Sequence, residues 1–302
     1  VRDFAPIRRR KRRFDDDTAE NTYRGRTSPP VDTEAEVFDE ATDGLPAGDR
    51  WSTWDVSAAG ERGPEPYPEW LVTELAAVDS DLGVLKTGKE ADVHLLERAV
   101  PDTDRRCLLA SKRYRDPEHR MFHRDAGYLE GRRVRRSREM RAMANRTSFG
   151  RQLIAGQWAV AEFNALSRLY EAGVPVPYPV QILGTELLLE FIGDPDGMAA
   201  PRLAQVRAGA DFRDLWRQLV DALVAMARLG LAHGDLSPYN LLVQDGRLVV
   251  IDLPQVVDVV ANPQGPQFLE RDTAVVATWF AARGVPGTDA LGDLLLREAG
   301  LR

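Results

Sequence analysis

The run His233-Gly234-Asp235-Leu236-Ser237-Pro238-Tyr239-Asn240, followed across a hairpin pattern by Ile251-Asp252, constrains this chain more than any other feature. Asp235 and Asn240 stand five apart on an irregular loop after a helix pattern, and Asp252 ends a strand pattern. All three side chains can therefore converge on one point. Phosphoryl transfer needs such a set: a carboxylate to orient the attacking hydroxyl, and oxygen ligands to hold magnesium against phosphates. His-Gly-Asp alone would be ordinary turn chemistry. The full spacing with the hairpin carries the reading.

The rest of the chain divides by pattern. Residues 1–65 read as a disordered charged tail: Arg8-Arg9-Arg10-Lys11-Arg12-Arg13 meets Asp15-Asp16-Asp17, and no sustained period follows. Trp51 and Trp54 are out of character there and are candidates for docking on the folded part. Glu69 to Leu75 suggests a short helix. Asp81–Leu85, Ala91–Leu96 and Cys107–Lys112 read as strands of an antiparallel sheet with its core face on one side, the first two separated by a turn holding Thr87-Gly88. Residues 113–151 carry twelve arginines against five acids and read as a mobile basic loop with some helix. Trp158–Tyr170 follows a helical period and stops at Gly173, and Thr185–Ile192 is a buried strand. Asp211–Leu229 is the clearest helix. The hairpin comes next, turning at Gln244-Asp245-Gly246, and Glu270 to Arg302 is mostly helical.

Of the 40 basic residues only Lys11, Lys86, Lys89 and Lys112 are lysines. Where arginine fills nearly every cationic position, a retained lysine can mark a need for a compact ammonium. The net charge of -7 disfavours wholesale nucleic-acid binding. A single Cys107 excludes an internal disulfide and a cysteine-cluster metal site. No apolar run approaches the roughly 18 residues of a membrane helix, so a cytoplasmic protein without membrane contact is the expectation.

His-x-Asp-x-x-x-x-Asn with a strand-terminal Asp resembles the catalytic loop and metal-binding aspartate of the protein-kinase-like fold. Within that fold, "HGDLSPYN" with "IDLPQ" resembles the RIO family of atypical serine/threonine kinases, its RIO1 branch most closely. Three further segments agree in order. "TGKEADV" (Thr87 to Val93) is similar to the family's phosphate-binding loop, "LASKRY" (Leu109 to Tyr114) to its lysine strand, and "LLLEFIG" (Leu187 to Gly193) to its hinge strand. The resemblance spans about residues 80–280.

It implies an α+β, two-lobed fold over residues 66–302. The small lobe, about 80–192, would hold an antiparallel sheet, one principal helix and the flexible basic loop 115–150. The large lobe, about 193–302, would be mainly helical, without an activation loop or peptide-binding subdomain. It also implies residue roles. Thr87, Gly88, Lys89, Glu90 and Val93 would surround the nucleotide, and Lys112, paired with Glu162, would contact its phosphates. Main chain near Glu190 and Ile192 would receive adenine. Asp235 would orient the hydroxyl, and Asn240 and Asp252 would hold Mg2+, or Mn2+. Asp252 is also a candidate phosphate acceptor, and His233 a structural brace. The implied activity is transfer or hydrolysis of the ATP γ-phosphate, with autophosphorylation. A protein or ribosome-related partner is an expectation, and so is a nucleic-acid contact through loop 115–150 or residues 8–13.

Gly83-x-x-x-x-Gly88-Lys89 nearly spells a Walker A loop, but Glu90 stands where that motif needs Ser or Thr, and a strand pattern follows where it needs a helix. Two other readings remain. Aminoglycoside and choline kinases share His-Gly-Asp-x-x-x-x-Asn, although residues 194–211 are short and not acidic enough for a cationic substrate. An ATP-gated ribosome-assembly factor with little kinase activity is the other.

Overall fold

The computed structural model describes residues 48–115, 148–207 and 209–302, with only the backbone of 148–154. The basic run 8–13 and residues 116–147 of the basic loop lie outside the described residues. The architecture is the expected two-lobed, kinase-like α+β fold.

The small lobe is a six-stranded antiparallel sheet ordered β1-β2-β3-β4-β6-β5. Its strands are β1 (Arg50–Trp51), β2 (Val78–Thr87), β3 (Ala91–Ala99), β4 (Arg106–Tyr114), β5 (Pro179–Leu183) and β6 (Glu186–Glu190). Helix α1 (Ser148–Glu171) crosses it and ends at Gly173, φ +74°, where the amide of Val174 bonds the carbonyl of Leu169 at 3.0 Å. Along β4 the side chains alternate. Ala110 lines the cleft below the sheet together with Lys112, and Tyr114 packs in the core beside α1. Cys107 and Leu109 join a separate cluster with Leu96, Val180 and Leu188.

That second cluster corrects two expectations. The sheet is covered on both faces, and its outer cover is chain that the sequence reading assigned partly to a disordered tail. Trp54, Leu71, Val72 and Ala77 close over Leu96, Leu109 and Leu188, and β1 pairs with β2 through Arg50 opposite Asp79. Folded chain therefore begins by residue 50, not 66. Trp54 is only 4% exposed, so the docking expectation holds for it, whereas Trp51 is 45% exposed. Residues 69–75 form no helix; they are turns around the anchors Leu71 and Val72. A seven-residue segment has little capacity to nucleate helix alone, and burial of two adjacent side chains decides its path.

A buried polar cluster ties this cover to the sheet. Arg98 bonds both carboxylate oxygens of Asp79, at 2.7 and 3.1 Å, and Oε1 of Gln181 at 3.1 Å. Gln181 Nε2 in turn donates to Thr53 and Ser57 at 2.8 and 3.0 Å.

The large lobe holds α2 (Phe212–Arg228), α3 (Gly265–Ala281) and α4 (Leu291–Glu298). Asp211 caps α2 by accepting the amides of Arg213 and Asp214 at 3.1 and 3.0 Å. The face Leu215, Leu219, Leu223 and Met226 is buried as the helical spacing requires. The hairpin is β8 (Leu241–Gln244) with β9 (Arg247–Val250). It turns through Asp245 and Gly246 at φ +50° and +77°, the pair of left-handed residues a type I′ turn demands. Short strands β7 (Leu231–Ala232) and β10 (Val257–Asp258) pair across the base of the loop that carries Asp235.

Candidate active site

A cleft of about 790 Å3 is lined by residues of both lobes. Its roof comes from the β2–β3 turn and β3–β4, namely Thr87, Gly88, Lys89, Glu90, Val93, Ala110 and Lys112. Its back is Glu190 to Ile192, and its floor includes Leu242, Ile251, Asp252 and Asp235. Every lysine among the described residues, Lys86, Lys89 and Lys112, lines this one cavity. Among the described residues, the positions where this arginine-rich chain retains an ammonium thus converge.

Lys112 is the centre of the arrangement. Its Nζ lies 2.7 Å from Glu162 Oε1 on α1 and 2.8 Å from Asp252 Oδ1 beyond β9, so one ammonium joins sheet, helix and hairpin. Glu162 is 1% exposed. It also accepts the amide of Leu253 at 3.0 Å and the hydroxyl of Tyr114. Burial alone would lower the Lys112 ammonium, but the two carboxylates outweigh it and hold it above its ordinary value. Burial likewise pushes Asp252 up, yet the charge and hydrogen bond of Lys112 prevail and bring it down to about 2. Asp252 sits at φ +68°, a left-handed conformation uncommon for a residue with a Cβ.

This geometry sets a pH dependence. The free carboxyl titrates near 3.8 and the folded one near 2. Its pairing therefore contributes stability in full above about pH 5, and that contribution is lost progressively as pH falls toward 2. The difference in Tm between wild type and Asp252→Asn is expected to be constant from about pH 5 to 8 and to shrink below about pH 4. Thermal unfolding across pH checks it.

The Asp235 loop is braced from several sides. Asp272 on α3, 3% exposed, accepts the amides of Gly234 and Leu236 at 2.7 and 3.1 Å. Burial, only partly offset by the neighbouring His233 and Arg271 and by these bonds, raises its carboxyl. His233 Nδ1 lies 3.3 Å from the amide of Asp235, and Nε2 lies 3.0 Å from the carbonyl of Ile251. A tautomer with the proton on Nε2 satisfies both contacts. Gly234, at φ +84°, has no room for a side chain: a Cβ there would stand 2.2 Å from the carbonyl oxygen of Gln255. The Gly in His-Gly-Asp is thus required by conformation and by space. Asn240 Nδ2 donates to the carbonyl of Asp235 at 3.0 Å.

The structure brings the expected residues together with one difference. Lys112, Glu162, Asp252, Asp235, Thr87 to Glu90, Val93, Glu190 and Ile192 all line the cleft, whereas Asn240 is not among its lining residues. Glu190 turns its carboxylate to the amide of Tyr178 at 3.0 Å, and burial raises it. It therefore offers the cleft main chain rather than a free acid. Sequence reading missed Lys86, Arg202, Leu242 and Asp272. Lys86 is lowered by partial burial and by the charges of Arg202 and Lys112. Its one sequence signal was the scarcity of lysine. Asp272 had none, because its partners lie 38 and 36 residues away.

A RIO-domain family model matches residues 119–291. The chain belongs to the RIO family. It is 35% identical over 219 residues to the RIO-type serine/threonine-protein kinase Rio1 of Haloferax volcanii, covering 72% of this chain and 68% of that one. It is 34% identical over 221 residues to the serine/threonine-protein kinase RIO1 of Chaetomium thermophilum, covering 70% of this chain but 40% of that longer protein. Among solved structures, the Rio2 kinase of Chaetomium thermophilum in its ADP/Mg2+-phosphoaspartate complex aligns with a TM-score of 0.51 at 20% identity. That alignment covers 74% of this chain and 67% of the Rio2 chain, and it bears on the fold alone. Among the described residues no helix is long and apolar enough to cross a membrane.

Proposed function

We propose that this RIO-family chain binds ATP with a divalent cation in the cleft and transfers or hydrolyses the γ-phosphate. The observation that carries the reading is the Lys112 ammonium between Glu162 and Asp252 in a cleft that Asp235 also lines. Val93, Ala110 and Leu242 give the cavity apolar walls for a base, and main chain at Glu190 to Ile192 borders its back. Lys112 would grip the phosphates, with Glu162 preventing the flexible ammonium from swinging away. Asp235 would accept the proton of the attacking hydroxyl or water.

The donor chemistry fits magnesium. Asp252 offers carboxylate oxygens, and Asn240, whose amide nitrogen is committed to the carbonyl of Asp235, is left with its amide oxygen. No cluster of three or more His, Cys, Asp or Glu able to hold a metal occurs among the described residues. A cation here would instead be held by two protein groups and by phosphate oxygens. When bound, Mg2+ or Mn2+ would neutralise charge developing on the transferred group.

Asp252 can also act as acceptor. Its carboxylate oxygen would form a bond to the γ-phosphorus as the bond to the ADP oxygen breaks. Water would then cleave the acyl phosphate, giving its proton to Asp235. The ionised state imposed by Lys112 supports that role, since a protonated carboxyl is a poor nucleophile.

Calorimetric titration of ATP into the protein tests the first half of this reading. Binding should be at least about ten-fold tighter with Mg2+ than with EDTA, and Asp252→Asn should remove most of that difference. Equal affinity with and without the cation would contradict it. Turnover that appears only on adding an aminoglycoside or choline would favour a small-molecule kinase instead.

A further inference from the structure

We propose that Arg271 is a positioning residue for Asp235, fixing the rotamer of its carboxylate through Oδ1. The proposal rests on the role assigned to Asp235 above. Arg271 and Asp272 are consecutive on α3, so their side chains leave the helix about 100° apart. Asp272 points inward and fixes the loop backbone on both sides of Asp235. Arg271 reaches around the outside, and its Nη2 donates to Asp235 Oδ1 at 2.9 Å.

Each part of Asp235 is thereby engaged: its amide by His233, its carbonyl by Asn240, its carboxylate by Arg271. The first two contacts fix the main chain but leave rotation about two side-chain bonds. A carboxylate that must meet one hydroxyl proton loses efficiency if it samples several rotamers. The grip of Arg271 on Oδ1 restricts that sampling.

The pair is half exposed on both sides, 52% for Arg271 and 44% for Asp235. Exposed pairs of this kind add only about 0–1 kcal/mol to stability. A purely structural salt bridge here would therefore leave almost no trace when removed. A positioning role predicts something different, a fall in turnover without a fall in Tm.

The test uses the full chain and γ-labelled ATP with Mg2+, comparing wild type, Arg271→Ala, Arg271→Lys and Asp235→Asn. Arg271→Ala is expected to lower kcat about ten-fold, with the KM for ATP changed less than about two-fold and Tm unchanged. Arg271→Lys should recover part of the loss. Guanidinium ion at about 50 mM, well below denaturing levels, should raise the rate of Arg271→Ala several-fold and leave Asp235→Asn unaffected. The proposal is overturned if Arg271→Ala keeps the wild-type kcat. It is equally overturned if kcat falls together with Tm and neither lysine nor guanidinium restores it. A wild-type protein that binds ATP but never turns it over would instead defeat the reading of Asp235, and this proposal with it; only the wild-type arm can give that result.

Discussion

Replacing Lys112 by methionine is expected to abolish turnover and to cost stability as well. The ammonium is shared by two carboxylates from different elements, and one of them, Glu162, is almost fully buried. Breaking a buried pair by removing one partner costs about 3–5 kcal/mol, because the remaining charge is left in low dielectric. The lower end applies here, since Glu162 keeps the Leu253 amide and the Tyr114 hydroxyl. Loss of the phosphate-facing cation should reduce kcat by at least about 100-fold. Lys112→Arg is the more informative variant. It keeps the charge, but a planar guanidinium does not fit a point between two carboxylates at 2.7 and 2.8 Å in the same way. We expect it to retain much of the stability and little of the activity. Full activity in the arginine variant would mean that charge alone matters and that the scarcity of lysine in this chain carries no information about the cleft.

The second large effect lies away from the cleft. Arg98→Met should destabilise the small lobe by about 3–5 kcal/mol, because Asp79, fully buried, loses a bidentate partner. In a chain of this size that corresponds to a fall in Tm on the order of 10 °C. The double variant Arg98→Met with Asp79→Leu should regain most of the loss, since replacing both buried charges removes the desolvation penalty along with the attraction. A double variant as unstable as the single one would show that the polar cluster holds Thr53 and Ser57 through Gln181 in a way apolar packing cannot replace. Thermal melts of the single and double variants decide between these.

Much of the cleft was legible in sequence because its chemistry sits in short, ordered segments. The His233–Asn240 loop, the hairpin to Asp252, the Thr87–Val93 turn and the Lys112 strand each carry their geometry locally: a turn, a period of two, a fixed spacing. The pairing of Lys112 with Glu162 came only through the family resemblance, and the structure places the two 2.7 Å apart. What stayed hidden depends on contacts distant in sequence. Arg271 and Asp272 sit on an ordinary helix face and gain meaning only where α3 meets the Asp235 loop.

The cover of the sheet was obscured for a different reason. Trp51 and Trp54 stand in a polar, acidic stretch whose composition resembles a tail, while the demand for a cover lies in β4. There the run Cys107-Leu108-Leu109-Ala110 is apolar without alternation, as expected of a strand buried on both faces. Strand β5 was likewise missed, because Pro175, Pro177 and Pro179 break the pattern just before Val180-Gln181-Ile182. The fold admits Pro179 at the first position of an edge strand.

If this cleft turns over ATP through Asp235 and Asp252, as proposed, neither carboxylate can be dispensed with. The most direct measurement follows free phosphate and protein-bound label together from γ-labelled ATP with Mg2+, in wild type, Asp235→Asn and Asp252→Asn. Phosphate release or labelling is expected in the wild type and its loss in both variants, with any bound label on Asp252 labile to hydroxylamine. Undiminished turnover in either variant, or none in a wild type that binds ATP, would contradict that role of the two aspartates.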